Sequence, residues 1–311
     1  MGCPVKQFKP RKNQQGVALI TVLLVLVVAM FWARQLFLLG QDTTHHTKQW
    51  LNLIQSQTLS IGAENYAQQL LTSDWKKDQE ANIFSDSEHD LWSNVMLPES
   101  LLSENIVITI TDLQGRFNLN DLLHANGEIN DDAVNVFRSL LIGLYLSPSY
   151  ASDLAYQLRN TYFENSYNSE KSGAVGKTFF YDSYELPRFI NIPWKELSQL
   201  APFITALPPK QPININTAPP EILMAIFPRL SQNVVERIVA ARQQKPIDDN
   251  KQITELIDVD SMENALYPLA LKTQYFEVTV IHNKNDIVSK YRAIYHRDFT
   301  TGQLSRLYRL F

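Results

Sequence analysis

The sequence predicts an α+β chain with three parts: an N-terminal transmembrane helix, an antiparallel sheet, and a large all-helical domain inserted between strands of that sheet. Three observations carry the prediction. Residues 17–33 are apolar except for Thr21. Strand-like alternation of β-branched residues occurs at 105–111 and then returns only beyond 275. Short helical patterns fill the interval, so a sheet begun before 120 and completed after 272 needs a helical insertion.

Composition sets the outer bounds. A chain of 311 residues, 45% hydrophobic and 11% aromatic, buries a substantial core, usually as two domains, and is not disordered. Its formal charge of −4 hides an asymmetry. Lys6, Lys9, Arg11 and Lys12 stand in the first sixteen residues with no acid among them. Beyond them, 24 basic residues face 32 acidic ones, a net charge of −8. Such a chain is a poor nucleic-acid binder. The single cysteine, Cys3, leaves residues 17–311 unable to form a disulfide. No Ser-His-Asp set or paired carboxylates stand out, and six scattered histidines point away from an enzyme.

A basic leader followed by an apolar run places the N-terminal flank in the cytoplasm. At ~1.5 Å per residue, residues 17–33 reach about 25 Å, just under a bilayer core of about 30 Å. A plain signal anchor has the same hydropathy. A cleaved secretory signal would need a small-x-small site, but Phe31 and Trp32 crowd Ala29 and Ala33. A third reading places cleavage before the apolar run, after Gly16, where Gln14-Gln15-Gly16 gives way directly to Val17-Ala18-Leu19-Ile20. Glycine suits a peptidase that must close on the backbone.

No proline occurs between Pro10 and Pro98, and helical spacing continues through Trp50, Leu53, Ile54, Tyr66, Leu70 and Leu71. One long helix is expected, loosened at Gly40 and Gly62, with His45 and His46 solvated. Residues 73–103, rich in Asp, Ser and Asn, read as a loop. Asn105 to Thr111 reads as a half-buried strand, and Asp112-Leu113-Gln114-Gly115-Arg116-Phe117-Asn118-Leu119-Asn120 as a turn with a second short strand in a hairpin. Asn130-Asp131-Asp132 caps a helix that carries Val134, Phe137, Leu140 and Leu141, and another helix covers 150–162. Strands at 275–281 and 289–297 form a hairpin over Asn283 to Asp286, and a last strand lies near 304–310.

The junction Gly16-Val17-Ala18-Leu19-Ile20-Thr21 resembles a type IV prepilin (class III) signal. With the D-x-x-G-R-F-N-L-N phrase and the inserted helices, the whole chain resembles the K-type minor pseudopilins of type II secretion systems, the GspK family. Pilin-like proteins usually carry Glu at the fifth mature position. Here that position is Thr21, and the K-type family shares the lack of Glu. An unpaired charge is costly to bury, and in the family the Glu of a joining subunit is thought to neutralise the amine of the subunit ahead. A chain with Thr21 does not do this, which implies a place at the filament tip. The alternative is that the Thr21 hydroxyl simply bonds back to a helix carbonyl.

The resemblance further implies cleavage between Gly16 and Val17 by a prepilin peptidase and N-methylation of Val17. It implies I- and J-type minor pseudopilins and the major pseudopilin as partners. It also implies an inner-membrane, single-pass chain with its bulk in the periplasm. The expected function is non-enzymatic: the tip of the periplasmic pseudopilus, helping to start its assembly for export of folded proteins across the outer membrane. The divisions are a leader at 1–16, a transmembrane helix at 17–39, the first part of a pilin-like domain at 40–118, the inserted helical domain at 119–272 and closing strands at 273–311. No cofactor is required. Calcium is possible because K-type relatives can hold it in the insertion, but Asp248, Asp249, Asp258 and Asp260 lack the order of a calcium loop, so no metal ligand is assigned.

Two further stretches invite chemistry. Pro212-Ile213-Asn214-Ile215-Asn216-Thr217-Ala218-Pro219-Pro220 starts a helix near Thr217, and with residues 234–242 it resembles a helix-hairpin-helix (SAM-like) unit. The alternative function is therefore a membrane-anchored DNA-binding or uptake protein. Its turn, Phe227-Pro228-Arg229-Leu230-Ser231, lacks the glycines that let backbone N–H groups approach phosphate. Lys171 to Thr178 ends like a phosphate loop, but Lys171 occupies the first glycine position, so a flexible loop is expected.

Overall fold

The computed structural model describes residues 14–102, 104–169, 180–284 and 287–310. The basic leader, Cys3 and the phosphate-loop look-alike lie outside the described residues. Contacts divide the chain into two compact units, Met1–Leu59 and Ser60–Phe311.

Helix α1, Gln14–Ala81, runs through both units. Val17–Leu38 is long and apolar enough to cross a membrane; 22 residues at ~1.5 Å each make about 33 Å. Its side chains face outward, with Val17 64% exposed, as a lipid-facing helix requires. The side chains of His45 and His46 lie outside the described residues. Residues 73–81, expected in a loop, are instead the last turns of α1. The reason is that Asp74 and Asp78, one turn apart, are buried at inward positions where a helix ordinarily shows apolar residues.

After the short α2, Glu99–Leu102, strand β1, Ile106–Asp112, buries Ile106, Ile108, Ile110 and Asp112 and turns Val107 and Thr109 outward. The next strand, β2, is only Phe117–Asn118. It does not fold back on β1 in the expected hairpin, but pairs in parallel with the later Ile204–Thr205. Asp112 and Gly115 direct the chain away from the sheet there, for reasons given below.

The helical region contains α3 (Asp131–Gly143), α4 (Ser149–Ser169), α5 (Trp194–Leu200), β3 (Ile204–Thr205), β4 (Ile213–Asn214), α6 (Pro220–Ile226), α7 (Gln232–Gln244), α8 (Asn250–Leu256), α9 (Val259–Glu263) and β5 (Leu269–Ala270). Asn130 caps α3 by accepting from the Ala133 N–H. Helix α6 begins three residues later than expected, because Pro219 and Pro220 occupy its cap and first position, where a missing N–H costs nothing. One core runs through this region, with Phe117 stacked on Phe137 at 5.2 Å and meeting Tyr267 edge-on at 5.9 Å.

The chain then returns as β6 (Tyr275–Lys284), β7 (Ile287–Arg297) and β8 (Leu304–Leu310). The sheet order is β1-β6-β7-β8, antiparallel throughout, with Ile110 opposite Val278 and Val278 opposite Ala293. The first strand thus pairs with one that follows it by some 160 residues of helical chain, and both lie within the unit Ser60–Phe311.

Candidate functional site

At the membrane end, Gly16 and Val17 lie within the first turn of α1. The Thr21 hydroxyl donates to the Ala18 carbonyl at 2.9 Å, as threonine commonly does in an apolar helix. Its only proton is used within its own helix, and it carries no charge to offer a neighbouring amine.

The second assembly is the junction between sheet and helical region, and it is built from the two phrases that stood out in the sequence. Asp112, at the end of β1, is buried and accepts two hydrogen bonds on each oxygen. Oδ1 takes the Gln114 N–H at 2.7 Å and the Thr273 hydroxyl at 2.6 Å. Oδ2 takes the Thr217 hydroxyl at 2.6 Å and the Asn214 amide at 2.8 Å. Burial pushes this carboxyl's pKa up, and the four donors pull it back. Gln114 extends the junction by donating its side chain to the Pro212 carbonyl at 3.0 Å, while its own carbonyl accepts from Asn214 N–H at 2.9 Å. Gly115 is required by proximity: a Cβ there would stand 2.8 Å from Thr217 Oγ1 and 3.0 Å from its backbone.

The two N-x-N segments are used in the same way. In each, the first asparagine caps the N–H two residues on, and the second grips a distant residue by both backbone groups. Asn120 holds Phe180 N–H and C=O at 3.0 Å each. Asn216 holds Ile247 N–H and C=O at 2.9 Å each. The intervening Leu119 and Ile215 are fully buried. Both segments also adjoin a two-residue parallel pairing, β2 with β3 and β4 with β5. A primary amide carries donor and acceptor side by side, which is what holding the N–H and C=O of one residue needs.

Two buried charge centres join α1 to the sheet. Glu64 accepts from the hydroxyls of Tyr291 and Tyr295 and from Arg309 Nη2 at 2.5 Å, with Arg306 at 3.4 Å. Burial would raise its pKa, but the two tyrosines and Arg309 together hold it below the usual value. Arg297, at the end of β7, pairs with Asp86 and stands 3.6 Å from Asp74. Nothing in the sequence pattern marked Glu64, Asp74, Asp86 or Arg297, because each is polar at a position that periodicity assigns to surface or loop.

These contacts bear on metal binding. Among the described residues, the acidic group close enough to share an ion is Asp74, Asp86 and Asp90, beside which stands the Arg297 guanidinium, paired with Asp86 and 3.6 Å from Asp74. In the insertion, Asp249 and Asp258 cap α8 and α9, Asp248 pairs with Lys245, and Asp260 pairs with Arg229. That quartet does not gather into a calcium cage. The helix-hairpin-helix turn is equally committed. Arg229 is bound to Asp260, while Arg242 of α7 points inward to the carbonyls of Ile215 and Ala218 at 2.5 and 2.7 Å. Neither guanidinium is arranged to meet a phosphate backbone.

An apolar N-terminal helix that fits a membrane anchor, followed by a sheet interrupted by a helical region, makes this an anchored α+β chain. Comparison with known proteins agrees. Two family models, both described as type II secretion system (T2SS), protein K, match residues 115–209 and 213–272. The type II secretion system protein K of Pseudomonas aeruginosa is 28% identical over 284 residues, covering 86% of this chain and 84% of that protein. In the solved GspK-GspI-GspJ complex of the enterotoxigenic Escherichia coli type 2 secretion system, one chain superposes with a TM-score of 0.62 at 21% identity, covering 85% of this chain and 98% of that one. These matches support a type II secretion system protein K with the role of a minor pseudopilin. The family is structural, and the DNA-binding alternative is not favoured.

Proposed function

We propose that this chain forms the tip of the periplasmic pseudopilus and helps to start its assembly for export of folded proteins. A prepilin peptidase would cut between Gly16 and Val17, and the new Val17 amine would be methylated. The chain would then stay in the inner membrane through Val17–Leu38, with its leader side cytoplasmic and the unit Ser60–Phe311 periplasmic. The observation that carries the reading is the residue type at position 21: threonine has no carboxylate with which a pilin-like chain would follow a predecessor, and its hydroxyl bonds back to the Ala18 carbonyl as the alternative expects. A subunit with no predecessor stands first. The size of the helical region supports a capping role. The I- and J-type minor pseudopilins and the major pseudopilin are the partners this reading requires. The similar chain solved together with GspI and GspJ supports the first two. No catalytic step and no cofactor is required.

The test is the mature N-terminal residue, by mass spectrometry of protein expressed with and without a prepilin peptidase. A methylated chain beginning at Val17 only when the peptidase is present is the expected result. A chain beginning at Met1 under both conditions would overturn it.

A further inference from the structure

Arg116 is the member of the D-x-x-G-R-F-N phrase that the junction leaves unused. Its guanidinium makes no hydrogen bond and no ion pair among the described residues, yet burial depresses its pKa, opposed by the nearby charge of Glu277. Glu277 is already engaged, because Arg292 donates to it from Nε at 3.0 Å and from Nη2 and reaches Asp182 at 2.8 Å. Arg116 therefore faces solvent-accessible space with its guanidinium donors unused.

That space is two clefts of about 210 Å³ each, both lined by Arg116 and Pro202. They differ in sign. The first adds Glu88 and Asp112, which repel an anion. The second adds Lys290 and Arg292, with the hydroxyl-bearing Ser183, Tyr184 and Ser198. Arg116, Lys290 and Arg292 line the second cleft with Glu277, and Asp182 pairs with Arg292, so cations outnumber acids on its walls. Lys290 is exposed on the rim, and the Arg292 guanidinium is held over the Tyr184 ring at 5.3 Å.

We infer that the second cleft is a receptor for a single carboxylate, seated on the free fork of Arg116 with Lys290 at the entrance. A guanidinium matches a carboxylate in a two-bond geometry, and a partly desolvated, unpaired one gains most from such a partner. A carboxylate brings one negative charge to the fork, whereas a phosphate dianion would set a second one beside Glu277. The cleft admits a small free acid or the end of one acidic side chain from a neighbouring protein.

The experiment uses the full chain in detergent micelles and reads the thermal-unfolding midpoint, since a ligand that binds only the folded state raises it. Sodium acetate, the peptide acetyl-Gly-Glu-Gly-amide and sodium phosphate are titrated at ionic strength matched with sodium chloride. The expected result is a saturable rise with acetate or the peptide that is absent in Arg116→Gln, and about tenfold weaker binding in the rim variant Lys290→Gln. Acetate alone would assign a free acid, and the peptide alone would assign a protein side chain. The inference fails if neither exceeds chloride, if phosphate matches them at equal concentration, or if the rise survives in Arg116→Gln. Should Arg116→Gln fail to fold, an undiminished response in Lys290→Gln would overturn the inference.

Discussion

Thr217 donates its hydroxyl to Asp112 Oδ2 at 2.6 Å, joining the last residue of the first sheet strand to a residue 105 positions later in the helical region. The carboxylate also holds Asn214 and Thr273, so three separated parts of the chain converge on one buried charge. Removing that charge should be far more damaging than removing one donor. Asp112→Ala is expected to lower stability by about 3 kcal/mol or more, and the near-isosteric Thr217→Val by about 1–2 kcal/mol. Combined with Asp112→Ala, Thr217→Val should cost little more. Denaturant midpoints of the two single variants and the double variant form a cycle that measures this coupling, and strict additivity would refute it.

Gly115 stands where a methyl group would press on the Thr217 backbone. Gly115→Ala is expected to destabilise the chain by about 1–3 kcal/mol through overpacking, although alanine is ordinarily harmless in a turn of this kind. A melting temperature equal to that of the parent would show that the junction yields at no cost.

Glu64 holds two tyrosines and two arginines from β7 and β8 onto α1. Glu64→Gln keeps the shape but removes the charge and brings donors against the arginines. A loss of about 3 kcal/mol is expected. Chemical denaturation checks the magnitude, and the tyrosine absorbance change between pH 9 and 12 provides a second readout. In the parent, burial and the neighbouring carboxylate hold both phenols protonated well above their ordinary range.

The Arg297 centre predicts a pH dependence of definite sign. Burial first, then the charges of Asp90 and Asp86, push the Asp74 carboxyl up to about 7 and that of Asp78 to about 6, against the pull of Arg297. Asp90 is raised in the same direction. The folded state thus keeps protons that the unfolded chain, with an ordinary value near 3.8, releases. Stability from this centre is full below about pH 4 and is lost as pH climbs through 6 to 7. The melting temperature of the detergent-solubilised chain should be a few degrees higher at pH 5 than at pH 8. Asp74→Asn, which mimics the protonated form, should narrow that gap. A midpoint that rises with pH over this range would contradict the assignment.

At the membrane end, Gly16→Val should block processing, leaving the leader attached in a gel-mobility or mass measurement while membrane insertion continues. Thr21→Glu should still be processed. If a subunit with no predecessor gains nothing from the carboxylate, secretion should be unimproved in a strain carrying that variant in place of the parent.

How much of this was legible beforehand differs from element to element. The apolar run, the β-branched strand read at 105–111 and found at 106–112, and the late strands were readable because each follows a simple period of hydrophobicity. The phrases around Asn118 and Asn214 stood out, but as turn chemistry. That each second asparagine grips both backbone groups of a residue dozens of positions away is a property of the packed chain. The loop expected at 73–103 gave way in part to helix because Asp74 and Asp78 look solvated in sequence and are buried in the fold. The hairpin expected after β1 failed because Asp112 spends its acceptors on Asn214, Thr217 and Thr273, which draw the chain out of the sheet.

By itself, then, the sequence determined the apolar N-terminal helix, the strands of the four-stranded sheet and the absence of a charged group at Thr21, since these depend on local hydropathy and residue type; the short pairs β2–β3 and β4–β5 did not show in it. Only the tertiary structure decided which polar groups are buried and what they hold. A buried carboxylate such as Asp112 or Glu64 is tolerable only when distant donors converge on it, and that convergence exists only once the intervening chain has folded.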